Sequence, residues 1–435
     1  MRTIFVKKWI VLLFLTLGTS LPNSFVFAED SYLLFDSNQD NDVVEVLSLE
    51  MVVARVMDTS PRLRSAITGI DAAKGAQLQA GLLPNPELSF EAEDFAGSDQ
   101  FGGTSSAEYT LSFNQKIELG GKRDARKRVA QTSFAIAQED LVVERLNIIR
   151  DVHTAYLNVL AETNSVNLAL EQEQLANNVL ESVSKRVKAA AESEIQLRKA
   201  EVTLANTLIR KEQTNRQLQI ARHTLAKLWG ADSFHERLDQ RYLFELEEPE
   251  SYETYVEKLT ELPDVQRIAY EGAQKDSLFN LAKTESVADP TVSVGMRRFE
   301  EGSDSALLVG VSVPLQIFNK NQGNIAKAQA EFLQTQSDAQ QFELNLKQTL
   351  FNNWQTWKTA YAEAVHLKAK LLPAADKSFH LVQSAYERGR FTYLEVLDAQ
   401  RTLINARNQY LTTLRRYHSA RISVKRLTNS FGEQG

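Results

Sequence analysis

In an otherwise helical sequence, Pro86–Glu118 and Pro290–Phe318 are the stretches that alternate apolar and polar residues with period two. In the second, Val292, Val294 and Met296 alternate with Ser293, Gly295 and Arg297. After a Glu301-Gly302-Ser303-Asp304 turn, Leu307, Val309, Val311 and Val313 alternate with Leu308, Gly310 and Ser312. The first stretch sets Leu88, Phe90 and Ala92 against Ser89, Glu91 and Glu93, then Tyr109, Leu111 and Phe113 against Thr110, Ser112 and Asn114. One greasy and one polar face at period two describe a half-buried strand. Each arm runs about ten residues, the length of a tilted strand crossing a bilayer. Four such strands cannot close a barrel, and lipid tolerates no open edge, so membrane strands here require a barrel shared between copies of the chain. Alternation alone fits equally well a pair of hairpins packed on helices in a soluble α+β protein.

The amino terminus bears on that choice. Arg2, Lys7 and Lys8 precede an apolar run, Trp9–Leu17, and Val26-Phe27-Ala28 forms a small-residue cleavage site. This is the pattern of a secretory signal peptide over residues 1–28. Removing it takes the formal charge from −7 to −10, the wrong sign for a nucleic-acid binder. The chain has no cysteine, which excludes disulfides, thiolate metal sites and a thioether-linked lipid. No run of eighteen apolar residues follows the leader, so the expected location is periplasm, outer membrane or medium.

The remainder reads as one plan used twice: a lead over 29–47, repeat 1 over 48–230, an acidic linker over 231–250, repeat 2 over 251–429 and a tail over 430–435. Ser60-Pro61 and Pro263 open the short helices, Ser60 as the cap. Leu83-Pro84-Asn85-Pro86 and Asp289-Pro290 break them where the hairpins, 87–118 and 290–318, begin. Long helices are expected over Lys122–Lys188 and Gln322–Arg388, each about 100 Å long, the second kinked at Pro373. Ile149, Val152, Tyr156, Val159, Thr163, Val166 and Leu170 form a heptad seam on the first. Leu403, Ala406, Tyr410, Thr413, Tyr417, Ala420, Val424 and Leu427 form another on the last helix. Ser193 with Gln196 and Thr392 with Glu395 read as capping boxes at the two reversals. The six histidines show no paired i,i+4 arrangement and no HExxH, and no phosphate loop or serine-nucleophile motif occurs. The expectation is a non-enzyme without metal or cofactor.

Leu82-Leu83-Pro84-Asn85-Pro86-Glu87-Leu88, Gln115-Lys116-Ile117-Glu118-Leu119-Gly120-Gly121-Lys122-Arg123, Tyr386-Glu387-Arg388-Gly389 and Leu394–Leu403 resemble the TolC-like outer-membrane efflux family. The resemblance covers essentially the whole mature chain and leans toward the outer-membrane component of cobalt–zinc–cadmium type cation efflux systems. It implies a mainly α fold with membrane β: a homotrimer whose shared twelve-stranded barrel, four strands per chain, continues into a long periplasmic α-helical barrel. The implied role is the exit duct of a tripartite system, fed by an inner-membrane proton-driven RND-type pump and a periplasmic adaptor. Two alternatives stand beside it: a general exporter of drugs or proteins, and a periplasmic coiled-coil structural or adaptor protein. The family's gate positions fall on Tyr386, Glu395 and Asp398. Its adaptor-docking tips fall on Ala190, Ser193, Arg388, Gly389 and Thr392. Hydrogen bonds from Arg390 or Arg401 are expected to hold the tip closed. Two departures appear: Phe391 stands where the family's gate pattern carries a basic residue, and Ala190 where glycine is common.

Overall fold

The computed structural model describes residues 46–432. The expected leader and most of the expected lead, together with residues 433–435 of the tail, lie outside the described residues. In chain order the elements are β1 (Val46–Leu47), α1 (Leu49–Thr59), α2 (Pro61–Ala80), β2 (Glu87–Glu93), β3 (Glu108–Lys116), α3 (Lys122–Lys188) and α4 (Glu194–Lys227). Then follow β4 (Arg237–Leu238), α5 (Arg241–Phe244), α6 (Tyr252–Lys258), α7 (Pro263–Thr284), β5 (Thr291–Phe299), β6 (Ser305–Ser312), α8 (Gln322–His366), α9 (Leu372–Glu387) and α10 (Tyr393–Leu427). The duplication is explicit: α2-β2-β3-α3-α4 is repeated as α7-β5-β6-α8/α9-α10.

The two hairpins merge into a single antiparallel sheet of order β2-β3-β5-β6, so the central pairing joins the two repeats. Register explains why the alternation matters. One cross-strand row is Phe90, Leu111, Met296 and Leu307, and the next on that face is Leu88, Phe113, Val294 and Val309. These side chains are exposed in the single chain, Leu307 at 76% and Val309 at 70%. The opposite face carries Glu91, Thr110, Arg297 and Ala306, then Ser89, Ser112, Gly295 and Leu308. There Ser89 and Ser112 share a hydrogen bond of 2.8 Å. Arg297 donates to Thr110, Glu108 and Glu93. Thr110, on the polar face, is therefore covered by the Arg297 guanidinium. The paired ladders span seven to nine residues per strand, shorter than the ten read from the alternation.

The sheet is fixed to the helices by the Gln115–Arg123 segment. Gly120 adopts φ +71°, and a Cβ there would lie 2.7 Å from Val287 Cγ2, so only glycine fits this crossing between repeats. Buried Asp289 accepts from Leu119 N–H (3.0 Å) and pairs with Lys122 (2.6 Å) and Lys116 (3.3 Å). Arg126 pairs with Glu118.

The helix α3 runs unbroken over the expected 67 residues. Its counterpart does not: a π-turn over Leu367–Leu371 separates α8 from α9, with Pro373 in the first turn of α9. Proline lacks an N–H and its ring crowds the carbonyl four residues back, so the helix widens by one residue at this point. The α10 seam is buried as read, apart from a half-exposed Leu427. On α3 the seam holds through Val152, Tyr156 and Val159, but Leu170 is exposed and Leu168, Ala169, Gln172, Ala176 and Val179 are buried instead. A straight helix drifts against a 3.5-residue repeat, and over five turns the buried stripe has moved off the heptad.

Among the described residues, two of the three cores sit around the middle of the long helices. One gathers Val52, Val56, Tyr156, Leu160, Leu225, Leu243 and Leu414, the other Tyr255, Leu350, Trp357 and Tyr417. The acidic linker is folded into this girdle: Phe234, Leu238 and Leu243 are buried, and β4 pairs parallel with β1, so Val46 and Leu47 are ordered. Arg421 of α10 pairs with Glu247 of the linker, while Arg415, Arg416 and Arg426 tie α10 to Glu162 of α3, Glu363 of α8 and Asp264 of α7. Ser60 terminates α1 and precedes α2 through its backbone; its side chain makes no cap bond.

Candidate functional site: the paired helix reversals

The third core lies at the pole remote from the sheet, where α3 turns into α4 and α9 into α10. It contains Val179, Val183, Phe379, Tyr386, Tyr393, Val396 and Leu403. Both reversals use the same backbone device. Ala190 N–H bonds Val187 O and Ala191 N–H bonds Arg186 O; Gly389 N–H bonds Tyr386 O and Arg390 N–H bonds Ala385 O. These are two Schellman motifs, each with its turning residue left-handed: Gly389 at φ +75° and Ala190 at φ +55°. The departure from glycine at Ala190 thus keeps the conformation and accepts its steric cost, of order 1 kcal/mol.

The helix starts differ. Glu395 accepts from the Thr392 N–H (2.7 Å) and hydroxyl (2.9 Å), giving the expected capping box. At the first reversal the expected box is absent: Ser193 makes no side-chain cap bond, and its N–H meets the Glu192 carboxylate at 3.4 Å. Glu192, the residue directly before it, stands in the place expected for Gln196. Ala190, Ser193, Arg388, Gly389 and Thr392 all lie exposed around the two turns.

Tyr386 is not at the surface. It is 1% exposed, its hydroxyl is buried without a hydrogen bond, and burial pushes its phenol above the ordinary value. What holds it is Arg186, from the last turn of α3. The guanidinium donates to Tyr386 O (2.9 Å) and lies 4.7 Å from the ring centroid. Its Nε is 3.9 Å from Glu192. The tie between the two tips therefore comes from Arg186, where Arg390 or Arg401 had been expected. Sequence reading offered only one hint of it, a cation in a helix's last turn, where the dipole favours positive charge. Glu395 and Asp398 are exposed on the first turns of α10. Higher up, Arg407 bridges Glu171 of α3 and Asp376 of α9, joining three helices. Burial raises the pKa of Glu171. Among the described residues no group of three or more acidic, histidine or cysteine side chains could hold a metal ion.

The outer membrane efflux protein family matches residues 52–231 and 291–430. The chain belongs to that family. Its place is the outer membrane, with the body of the efflux protein extending into the periplasm. It is 30% identical over 423 residues to the cobalt-zinc-cadmium resistance protein CzcC of Cupriavidus metallidurans, covering 95% of this chain and 99% of that one. Among solved structures, the outer membrane protein VceC of Vibrio cholerae superposes with a TM-score of 0.73 at 18% identity, covering 87% of the efflux protein and 95% of VceC. CusC, studied for transmembrane channel formation, gives 0.74 at 15% identity, covering 87% and 91%. The fold expected from the sequence, a TolC-like one, is the fold found. The family is one of efflux ducts.

Proposed function

We propose that three copies of this efflux protein close a twelve-stranded barrel and a helical tunnel, and that the assembly is the exit duct of a tripartite system exporting heavy-metal cations. The observation that carries the reading is the sheet. Four strands place their apolar residues on one exposed face, and among the described residues β2 and β6 are left as edges without partners. Neither an exposed apolar face nor an open edge survives in water or lipid unless it is covered. Pairing β6 of one copy with β2 of the next closes the edges and turns the apolar face to lipid.

The reversals form the periplasmic end in this reading. Tyr386, Glu395 and Asp398 belong to the gate, Tyr386 as the buried wedge beneath the tip and the two carboxylates as charges that three copies bring together. Ala190, Ser193, Arg388, Gly389 and Thr392 offer the turns to a periplasmic adaptor, which links the duct to a proton-driven pump. The cobalt-zinc-cadmium resistance relative supports metal cations as the cargo.

The test has two arms. The purified mature chain should be a trimer in detergent, and a monodisperse detergent-free monomer would overturn the barrel. A deletion strain should lose tolerance to cobalt, zinc and cadmium salts. Unchanged metal tolerance with new sensitivity to drugs would reassign the duct to general export.

A further inference from the structure

Along the polar face of the sheet the charged residues of the ladder stand at its two ends. From the hairpin turns toward the helices, the first row holds Glu93, Glu108 and Phe299, and the second Glu91, Thr110, Arg297 and Ala306. Uncharged Ser89, Ser112, Gly295 and Leu308 follow, and only then Glu87 and Lys116 near the helices. At the turn end, three carboxylates therefore meet one cation.

That cation is used to the full. Glu93 and Glu108 are direct cross-strand partners, and like charges so placed repel. The Arg297 guanidinium comes between them from β5. Its Nη2 donates to Glu93 (2.9 Å), its Nη1 to Glu108 (2.6 Å) and its Nε to the Thr110 hydroxyl (2.9 Å). Stability alone is a poor reason for the arrangement. Part-exposed pairs of this kind add little, and β3 already pairs with β5 along its whole length.

The acceptors say more. Two carboxylates and a hydroxyl are an oxygen set that a divalent cation also takes, at about 2.0–2.6 Å. Glutamate side chains on facing strands can close that far. What fills the set instead is a cation that cannot leave, because a guanidinium stays protonated and is tethered to its strand.

We propose that Arg297 is a resident substitute for the cargo: it occupies the oxygen set of Glu93, Glu108 and Thr110, so that divalent cations leaving the duct find no place to lodge. This rests on the reading of the sheet as the outer end of a metal-cation duct, whose hairpin turns face outward. A conducting path must attract an ion and still release it. Glu91, exposed in the same row, supplies attraction, while Arg297 withholds the two carboxylates that would hold on. The strand that this reading brings beside β2 adds no charge, since β6 offers Ala306, Leu308, Gly310 and Ser312 to the same face.

The test counts cadmium on the full mature chain in detergent. Glu395→Gln and Asp398→Asn are present throughout, so that the tip acids add nothing, and this chain is the parent. After equilibrium dialysis against cadmium chloride, bound metal is read by atomic absorption. Arg297→Met, similar in length and uncharged, should gain one cadmium per chain, and adding Glu108→Gln should lose it again. Arg297→Gln should gain the same ion and serves where methionine lowers the yield of protein. Arg297→Lys should bind no more than the parent, because an ammonium still sits in the set. In planar bilayers, cadmium on the hairpin side should block Arg297→Met at a concentration at least about tenfold below that needed for the parent, as expected when two carboxylates become free to bind. No gain in either neutral variant would overturn the proposal, and so would an equal gain in Arg297→Lys. A parent that already holds a cadmium ion, lost on Glu108→Gln, would overturn it as well. The count needs a single chain, because all four side chains belong to one copy. A parent that opens no channel would sink the duct reading, and the role of Arg297 with it, even where the count rises, so the two failures read differently.

Discussion

Acidification should loosen the girdle through His418. This imidazole is 0% exposed, its Nε2 faces Leu243 O at 2.9 Å, and its ring stacks on Tyr242 with centroids 5.0 Å apart. Burial, helped by Arg421, lowers its pKa from 6.5 to about 4. His153, on the other side of Tyr242, is lowered to about 4 by burial first and then by Lys425 and Arg421. The unfolded chain therefore takes up a proton as pH falls through about 6.5, while the folded chain resists until about 4. The stability that the neutral ring carries is complete above that window and is lost as pH falls through it. At about 1.4 kcal/mol per pKa unit, His418 alone removes about 2 kcal/mol by pH about 5 and about 3 kcal/mol below pH about 4. Trp229, Trp354 and Trp357 pack against the girdle cores, so tryptophan emission reports on this region. Thermal midpoints in detergent should fall between pH about 7.5 and about 5, and the fall should shrink in His418→Gln. The amide can still donate to Leu243 O but has no proton to gain. An identical fall in the variant would refute the assignment.

Arg186→Ala removes a hydrogen bond and a cation–π contact at Tyr386, together about 1–3 kcal/mol; single-channel conductance should rise in planar bilayers, and an unchanged closed level would remove Arg186 from the gate. Ala190→Gly should raise the melting midpoint through a gain of up to about 1 kcal/mol, because the left-handed turn no longer strains a Cβ. Glu395→Gln with Asp398→Asn should weaken cation preference and block by divalent ions without disturbing trimer formation, since a glutamine carbonyl can still accept from Thr392 N–H. Val311→Arg should cost roughly 2–4 kcal/mol near the membrane midplane, whereas Ser312→Arg should insert normally; equal tolerance, measured as trimer yield in outer membranes, would argue against a lipid-facing strand.

The elements were legible because their signals are local. Period-two alternation, breakers such as Pro86 and Pro290, and the unbroken pattern from Lys122 to Lys188 each act within a few residues of themselves, and the bounds of α3 agree with the reading. What failed depended on contacts between distant segments. Leu170 reads as a seam residue by spacing, but the stripe that α4 and α10 bury against α3 has rotated past it. Ser193 reads as a cap by its neighbour at 196, but Glu192 sits closer to the same N–H. Arg186 has no readable role until the second repeat brings Tyr386 beneath it, and the linker reads only as acidic because its acids, not Leu238 and Leu243, dominate its composition.

The two repeats share a backbone plan without sharing mechanical properties, and the differences fall on one side. The first arm is a single α-helix of 67 residues ending in a turn that strains an alanine. The second is interrupted by a π-turn and Pro373, and ends in a glycine that takes the same turn without strain. Its return helix opens with a capping box that the first lacks. A π-turn beside proline is where a long helix bends at least cost. Arg186 reaches from the unbroken arm to the main chain of the interrupted one, over the core where Val179 and Val183 pack with Phe379 and Tyr386. Arg407 also ties both arms together at Glu171 and Asp376, a few residues beyond the π-turn, so a bend at that turn strains this tie as well. Moving the second tip against the first would therefore break Arg186's grip and strain the Arg407 pairs, while the girdle keeps its own α10 arginine pairs.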